Sequence, residues 1–204
     1  MSVLATVVNF KTSGFVPLAL GFFGLGTGYL IYGPQELAGY PGRDRKVDIT
    51  TGIWGIWMPG FLQFVTGILL FVGLTWFDSF TEAPLYMAAV AFTAYGVHWW
   101  ALGLGRAFAG DPRPNAFMAV PFLVLSIVGA IVFFGADDNP VGALFVGLAL
   151  VYICEFFASL GWRRVNGALW ERALGLVHIA VGLWLMYLTT AAALNFARGF
   201  NLPL

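Results

Sequence analysis

The sequence is poor in charge, in lysine and in cysteine. Charged residues make up 10% of the 204 residues, whereas a soluble domain carries about 25%. Ten basic and ten acidic side chains cancel to a net charge of zero, so no basic surface is expected that would bind nucleic acid. The single cysteine, Cys154, has no partner for an internal disulfide or a zinc site. These scarcities argue against a soluble domain, a disulfide-stapled fold and a nucleic-acid-binding protein.

Apolar residues are abundant instead, at 60% of the chain. Stretches free of charge form six apolar runs, of which the fifth is interrupted only by Glu155, and each run is long enough to cross a hydrocarbon core of roughly 30 Å. We predict six transmembrane helices at 14–32, 52–76, 84–104, 116–135, 141–161 and 173–194. The sequence therefore predicts an all-α integral membrane protein, a single six-helix transmembrane domain over 14–194 with a central path per protomer. An N-terminal segment 1–13 precedes this domain and a C-terminal tail 195–204 follows it.

Short connections between the runs leave no room for a soluble domain. The longest, 33–51, holds six charged residues and is predicted to be a solvated loop. Residues 1–10 lack the basic start of a cleavable signal peptide, so none is expected. Eight of the ten basic residues fall in the three loops of one side. That bias places these loops in the cytoplasm and both termini outside the plasma or inner membrane.

Glycines recur at helical spacing in the first and last helices. Gly24 and Gly28 are four residues apart, and Gly175 and Gly182 are seven apart, so each pair shares one helix face. In lipid, close approach of backbones drives helix association. We expect these two faces to pack tightly against neighbouring helices.

Three ionisable residues, His98, Glu155 and His178, lie at membrane depth, where a charge is costly and function is the default expectation. Counting about 1.5 Å per residue from the predicted helix ends puts all three roughly 8–9 Å inside the cytoplasmic boundary. They would form one polar layer, with a Glu155–His178 contact. This layer either locks the helices together or forms a protonatable vestibule that sets the charge met by a solute. The second interpretation predicts a pH-dependent flux.

A second layer is predicted near the bilayer centre, where the same counting places Phe23, Gln63 and Tyr95. Leu148 and Glu155 are seven residues apart and share a helix face. One lining would therefore run from a mid-membrane aromatic constriction to the polar layer. By spacing alone, aromatic residues at such positions are more often core than pore.

Three segments of the first half carry family-like motifs. AFTAYGVHW at 91–99 is similar to the pattern A-F-T-S-Y-G-x-F-W, and GFLQFVTG at 60–67 is similar to G-x-x-Q-x-x-A-G. PLALGFFG at 17–24 looks like the end of an N-P-x-P-L-G-L signature. Over roughly residues 14–120 the chain thus resembles the acetate uptake transporters, also called succinate–acetate permeases.

This resemblance implies a homohexamer of six-helix protomers, each with its own path for small monocarboxylates such as acetate, and for succinate, passive or proton-linked. It implies a hydrophobic constriction formed by Phe23, Tyr95 and Leu148. The polar residues expected along the path are Gln63, Thr93, His98, Glu155 and His178.

The alternative is the family of proton-gated urea and short-chain amide channels, which are also six-helix hexamers. They have a similar F-T-x-x-Y stretch in helix 3 and carry glutamates in helices 5 and 6, roughly where Glu155 and His178 stand. Outward termini suit this family. The glutamate that acetate transporters carry late in helix 6 is missing here, in the region 189–193.

Two other classes compete with transport. A membrane enzyme is not expected, because no paired carboxylates, no nucleophile with its base and no metal cluster are visible in the sequence. For the same reason we expect neither a metal nor a cofactor. A structural subunit of a larger complex would need no lining of its own, and the mid-depth Gln63 argues against it.

Overall fold

The computed structural model describes residues 17–160 and 166–203. These residues form six long helices and no strand: α1 Leu18–Ala38, α2 Arg45–Thr75, α3 Pro84–Ala107, α4 Pro114–Gly135, α5 Asn139–Ser159 and α6 Gly167–Arg198. Five of the six are long and apolar enough to cross a membrane, and the 21-residue α1 completes the bundle. The chain is an all-α, six-helix, multi-pass membrane protein, as predicted. The N-terminal segment 1–13 and the residues 161–165 of the last loop lie outside the described residues.

The prediction of a solvated loop over 33–51 is wrong. Helix α1 continues through Pro34 to Ala38, and only residues 39–44 connect it to α2. Gly39 ends α1 in the left-handed conformation, with φ of 67°. Asp44 is the N-cap of α2. Its carboxylate accepts hydrogen bonds from the backbone N–H groups of Lys46 and Val47 at 2.7 and 2.9 Å. Glu36 therefore lies on a helix of the bundle and not in a solvated loop.

Helix α2 contains a π-helical turn, Ile56–Phe61, around Pro59. Proline removes a backbone donor and disturbs the regular ladder of hydrogen bonds. The indole Nε1–H of Trp100 on α3 donates to the carbonyl of Ile56 at 3.1 Å. A neighbouring helix thus satisfies a carbonyl of the irregular turn inside the bundle.

The predicted glycine faces do pack closely against neighbouring helices. A Cβ added to Gly28 would lie 2.6 Å from Cγ of Pro59, so α1 approaches the π-helical turn of α2 at this point. On α6, a Cβ at Gly175 would lie 2.7 Å from the carbonyl oxygen of Gly33 on α1. Any side chain at either position would separate the backbones. The resulting contacts hold α1 between α2 and α6.

Helix α4 turns a broad apolar face outward. Its exposed large side chains are Phe117, Val120, Val124, Ile127, Val128, Ile131 and Phe134. Such a face is stable only against lipid or against another apolar surface. The bundle interior is formed mainly by the other five helices, whose aromatic side chains meet near its centre.

Candidate functional site

A polar vestibule opens at the end of the bundle where α1, α3 and α5 end and α2, α4 and α6 begin. It is a cavity of about 460 Å³. Its rim includes the exposed Arg43, Asp111 and Pro112, so it reaches the surface. Its deeper wall carries Tyr32, Glu36, Trp99, Leu102, Arg106, Glu155 and His178. The predicted basic loops lie at this same end.

Glu36 is the centre of a buried ionic cluster in the vestibule wall. Its Oε1 lies 3.5 Å from Nη2 of Arg106, and its Oε2 lies 2.6 Å from Nδ1 of His178. The Arg106 guanidinium also donates to Oε1 of Gln35 and stacks on Tyr32, 3.9 Å from the ring centroid. The Glu36 and His178 side chains are 8% and 6% exposed. The cluster therefore joins α1, α3 and α6 by charge and hydrogen bonds shielded from water.

The sequence-based prediction of a Glu155–His178 contact is replaced by this Glu36–His178 pair. The two histidines and Glu155 also do not lie at equal distances from the helix ends. His178 is eleven residues beyond the start of α6, about 16 Å along the helix, because α6 begins at Gly167 and not at 173. Glu155 is only four residues from the end of α5.

Positive charge in the vestibule is matched by acids. Arg106 is paired with Glu36, and Arg43 lies 3.1 Å from Asp48. Glu155 and Glu171 also line the cavity, and neither makes an ion pair with any residue of the described ranges. An arginine that holds a carboxylate of its own protein is not free to attract an anionic solute. Among the described residues that line the vestibule, five acids thus stand beside two arginines and one histidine, and each of these three already contacts an acid.

Asp111 at the rim is held ionised by Arg113. The Arg113 guanidinium donates to both carboxylate oxygens, and these hydrogen bonds lower the pKa of Asp111 to about 2. Asp111 therefore keeps its charge throughout the neutral and mildly acidic range.

Between the vestibule and the bundle centre lies a belt of buried hydroxyl and imidazole groups. The hydroxyl of Tyr152 lies 3.2 Å from Nδ1 of His98, and the hydroxyl of Tyr95 lies 2.9 Å from Oγ of Ser126. Nε2 of His98 is buried and has no hydrogen-bond partner among the described residues. These four residues connect α3 to α4 and α5 through polar contacts in an otherwise aromatic interior.

A second, apolar cavity lies beyond this belt. Its volume is about 20 Å³, which is room for about one water molecule. Its surface is wholly apolar, although Gln63 and Tyr95 are among the lining residues. The other lining residues are Leu18, Phe22, Leu25, Ala88, Ala91, Phe92, Phe133, Val141, Leu144, Phe145 and Leu148. At this level the bundle interior is thus lined by packed aromatic and aliphatic side chains.

Two helices present one continuous inner face from the small cavity to the vestibule. On α3, Tyr95 lines the small cavity and Leu102, seven residues later, lines the vestibule. On α5, Leu148 lines the small cavity and Glu155, seven residues later, lines the vestibule. Seven residues are two helical turns, so the two cavities are stacked along the bundle axis.

Phe23 does not lie where the constriction was predicted. Its side chain is 43% exposed on the outside of α1, whereas Phe22 is 3% exposed and lines the small cavity. One residue along a helix turns the side chain by about 100°, so Phe22, and not Phe23, faces the small cavity. Thr93 donates to the carbonyl of Ala89 at 2.8 Å and packs against Gly67, which places it at the α2–α3 contact.

Sequence reasoning missed Glu36 as a site residue. Because the first predicted helix ended before Glu36, this residue was assigned to a loop. A signal was available, because Tyr29, Tyr32 and Glu36 are spaced i, i+3 and i+7 and therefore share one face. All three are on the inner side of α1, and the ring of Tyr29 stacks on His178 with centroids 4.4 Å apart.

Comparison with known proteins gives a structural match without a sequence match. No protein-family model and no curated protein matches the chain. A solved structure of the bacterial acetate channel SatP is similar in fold, with a TM-score of 0.71 and 18% sequence identity. The match covers 93% of this chain and 98% of the SatP chain. The six-helix arrangement of this protein is therefore that of a known membrane channel over nearly its whole length.

Proposed function

We propose that this protein is a membrane channel or transporter for small monocarboxylates such as acetate and belongs to the acetate uptake transporter family. The observation that carries the proposal is the stacking of an open polar vestibule on a small apolar cavity inside a SatP-like fold. The sequence motifs at 60–67 and 91–99 support the same family. They place Gln63 and Tyr95, two residues that line the small cavity, at motif positions.

In this proposal the small cavity is the constriction. Phe22, Tyr95 and Leu148 form part of its wall and select by size and by exclusion of water. Gln63, His98, Glu155 and His178 provide the polar groups from the constriction to the vestibule. A solute of acetate size exceeds the cavity volume of about 20 Å³, so passage requires the lining side chains to move.

The assembly proposed is a homohexamer in the plasma or inner membrane. The outward apolar face of α4 supports contact with other copies or with lipid. The excess of basic residues at the vestibule end supports a cytoplasmic vestibule and external termini. Succinate is a further proposed solute.

The test is uptake of radiolabelled acetate into proteoliposomes, with and without a pH gradient. Leu148→Trp fills the constriction and should lower protein-dependent uptake at least tenfold. Leu150→Trp is the matched control, because Leu150 is on the same helix and 48% exposed on the outside. Leu148→Ala widens the constriction and should raise uptake. Equal uptake by all three variants would contradict a path through this cavity.

A proton-gated channel for urea and short-chain amides is the second candidate. The buried Glu36–His178 pair and the uncharged wall around Gln63 favour it. Urea uptake without acetate uptake in the same proteoliposomes would decide for this alternative.

A further inference from the structure

His98 carries a buried ring nitrogen without a hydrogen-bond partner. The residue is 6% exposed, and its Nε2 has no partner among the described residues. The other ring nitrogen, Nδ1, lies 3.2 Å from the hydroxyl of Tyr152 on α5. Buried polar atoms without a partner are rare in folded proteins, because they have lost their hydration and gained no bond in return. The free nitrogen of His98 therefore needs a physical explanation.

The contact with Tyr152 decides which nitrogen of a neutral His98 ring carries the proton. If the Tyr152 hydroxyl donates to Nδ1, the proton is on Nε2, and one donor is left without an acceptor. If Nδ1–H donated to Tyr152 instead, the hydroxyl proton of Tyr152 and the lone pair of Nε2 would both be unpaired. The first arrangement leaves fewer buried groups unsatisfied, so Nε2–H is a donor without an acceptor.

His98 lies between the two cavities, on helix faces that line both. On α3 it lies between Tyr95, which lines the small cavity, and Leu102, which lines the vestibule. On α5, Tyr152 likewise lies between a residue that lines the small cavity and one that lines the vestibule. His98 and Tyr152 themselves line neither cavity. A solute that moves from one cavity to the other along these faces has to cross the level of the two side chains.

We propose that Nε2–H of His98 donates a hydrogen bond to an oxygen atom of the solute as the solute passes between the two cavities. A carboxylate oxygen, the C=O of a carboxylic acid and the C=O of an amide all accept such a bond. A solute without an acceptor leaves the donor unpaired and gains nothing at this level. This inference rests on the proposed function and specifies a selective contact within the path.

The residue type at this position distinguishes the chain from the motif that it resembles. In the pattern A-F-T-S-Y-G-x-F-W the aligned residue is phenylalanine, whereas AFTAYGVHW has His98. Phenylalanine provides an aromatic ring and no donor. The surroundings of His98 remain aromatic, since the ring of Phe122 on α4 packs against the imidazole with centroids 4.8 Å apart. The donor is thus an added polar function in an aromatic belt.

Three substitutions of His98 separate solute binding from the bond to Tyr152. A glutamine amide can place a donor near the position of Nε2, whereas an asparagine amide reaches only the position of Nδ1. In the proteoliposome assay, His98→Gln should stay within about twofold of wild-type acetate uptake. His98→Asn and His98→Phe should lower uptake about tenfold, the effect of one lost hydrogen bond. Val97→Phe is the matched control, because Val97 is the preceding residue and is 48% exposed on the outside of α3.

Nitrogen-15 NMR of protein labelled at histidine tests the contact directly. The chain has two histidines, so the signals of His98 are identified by their loss in His98→Gln. Nε2 should be protonated and Nδ1 should not. Sodium acetate should shift the Nε2–H signal, and sodium chloride at the same ionic strength should leave it unchanged. Tyr152→Phe removes the hydroxyl that fixes the tautomer and should place the proton on both nitrogens in exchange.

The outcomes separate this inference from the proposed function. Wild-type acetate uptake in His98→Phe, or uptake in His98→Asn equal to or above that in His98→Gln, would overturn the inference and leave an acetate channel standing. An Nε2 signal that does not respond to acetate would also overturn it. Absence of protein-dependent acetate uptake by the wild-type chain would overturn the proposed function, and the inference with it.

Discussion

The imidazole Nδ1 of His178 lies 2.6 Å from the carboxylate Oε2 of Glu36, although 142 residues separate them in the chain. This contact joins the last turns of α1 to the first half of α6 and is completed by Arg106 from α3. Three helices therefore meet at one buried carboxylate. Glu36 therefore holds the three helices together and is also part of the vestibule wall.

Glu36→Gln should destabilise the bundle. The substitution leaves the Arg106 guanidinium buried without a counter-ion, and breaking a buried ionic contact from one side costs about 3–5 kcal/mol. We expect a lower melting temperature in detergent, partly restored in the double variant Glu36→Gln/Arg106→Gln. Glu171→Gln is the matched control, since Glu171 is an exposed glutamate of α6 without an ion-pair partner among the described residues. Equal melting temperatures for the two single variants would contradict the role of Glu36.

Glu155→Gln should change the pH dependence of acetate uptake without blocking the path for neutral solutes. Glu155 lines the vestibule without a hydrogen bond or ion pair to any described residue, so it is placed to exchange protons with a solute. We expect slower acetate uptake into proteoliposomes and a changed pH profile of that uptake. The flux of acetamide, a neutral solute, should be unchanged. If Glu155→Gln and His178→Ala both kept the wild-type pH profile, the protonatable vestibule would be ruled out.

Phe22→Ala and Phe23→Ala should differ sharply. Phe22 is 3% exposed in the cavity wall, and Phe23 is 43% exposed outside. Truncating a buried phenylalanine costs about 3–5 kcal/mol, and here it also widens the small cavity that we propose as the constriction. Phe22→Ala should therefore lower the melting temperature and admit larger acids such as butyrate, whereas Phe23→Ala should retain wild-type selectivity. Wild-type selectivity in Phe22→Ala would remove Phe22 from the constriction.

Gly175→Ala should disrupt the contact of α6 with α1. The added Cβ would lie 2.7 Å from the Gly33 carbonyl oxygen, too close for ordinary packing, so the helices must separate. Gly105→Ala is the control, because nothing lies within 4 Å of its Cβ position on α3. At that site alanine should be neutral or stabilising by up to about 1 kcal/mol through helix propensity. Similar thermal stability in both variants would mean that the α1–α6 contact tolerates separation.

Native mass spectrometry from detergent micelles tests the hexamer. The expected mass is about 133 kDa, six times the 22.1 kDa of one chain. Ile131→Lys on the outward face of α4, 67% exposed, should shift the mass towards smaller species if this face contacts other copies. Steady recovery of wild-type protein as a monomer, or with other chains, would argue against the homohexamer.

Much of the fold follows from the sequence alone. Six apolar runs, of which only the fifth contains a charged residue, must be helices crossing lipid, because no other structure satisfies backbone hydrogen bonds there without closing a barrel. The glycine spacing of α1 and α6 also predicts their close packing, since small residues are what let membrane helices approach. Helical periodicity places Tyr95 and Leu148 on inner faces, where both line the small cavity.

Tertiary structure decided which groups meet. The sequence marks Glu36 as a charge beyond an apolar run, and only contacts from Arg106 and His178 make it stable inside the bundle. Likewise, adjacent phenylalanines are equivalent in hydropathy, and only the rotation of α1 against its neighbours turns Phe22 inward and Phe23 outward. Apolar runs determine which segments of the chain form transmembrane helices, because insertion into lipid depends on the average hydropathy of a segment. Helix rotation and ion pairing depend on specific neighbours, which the chain acquires only when it folds.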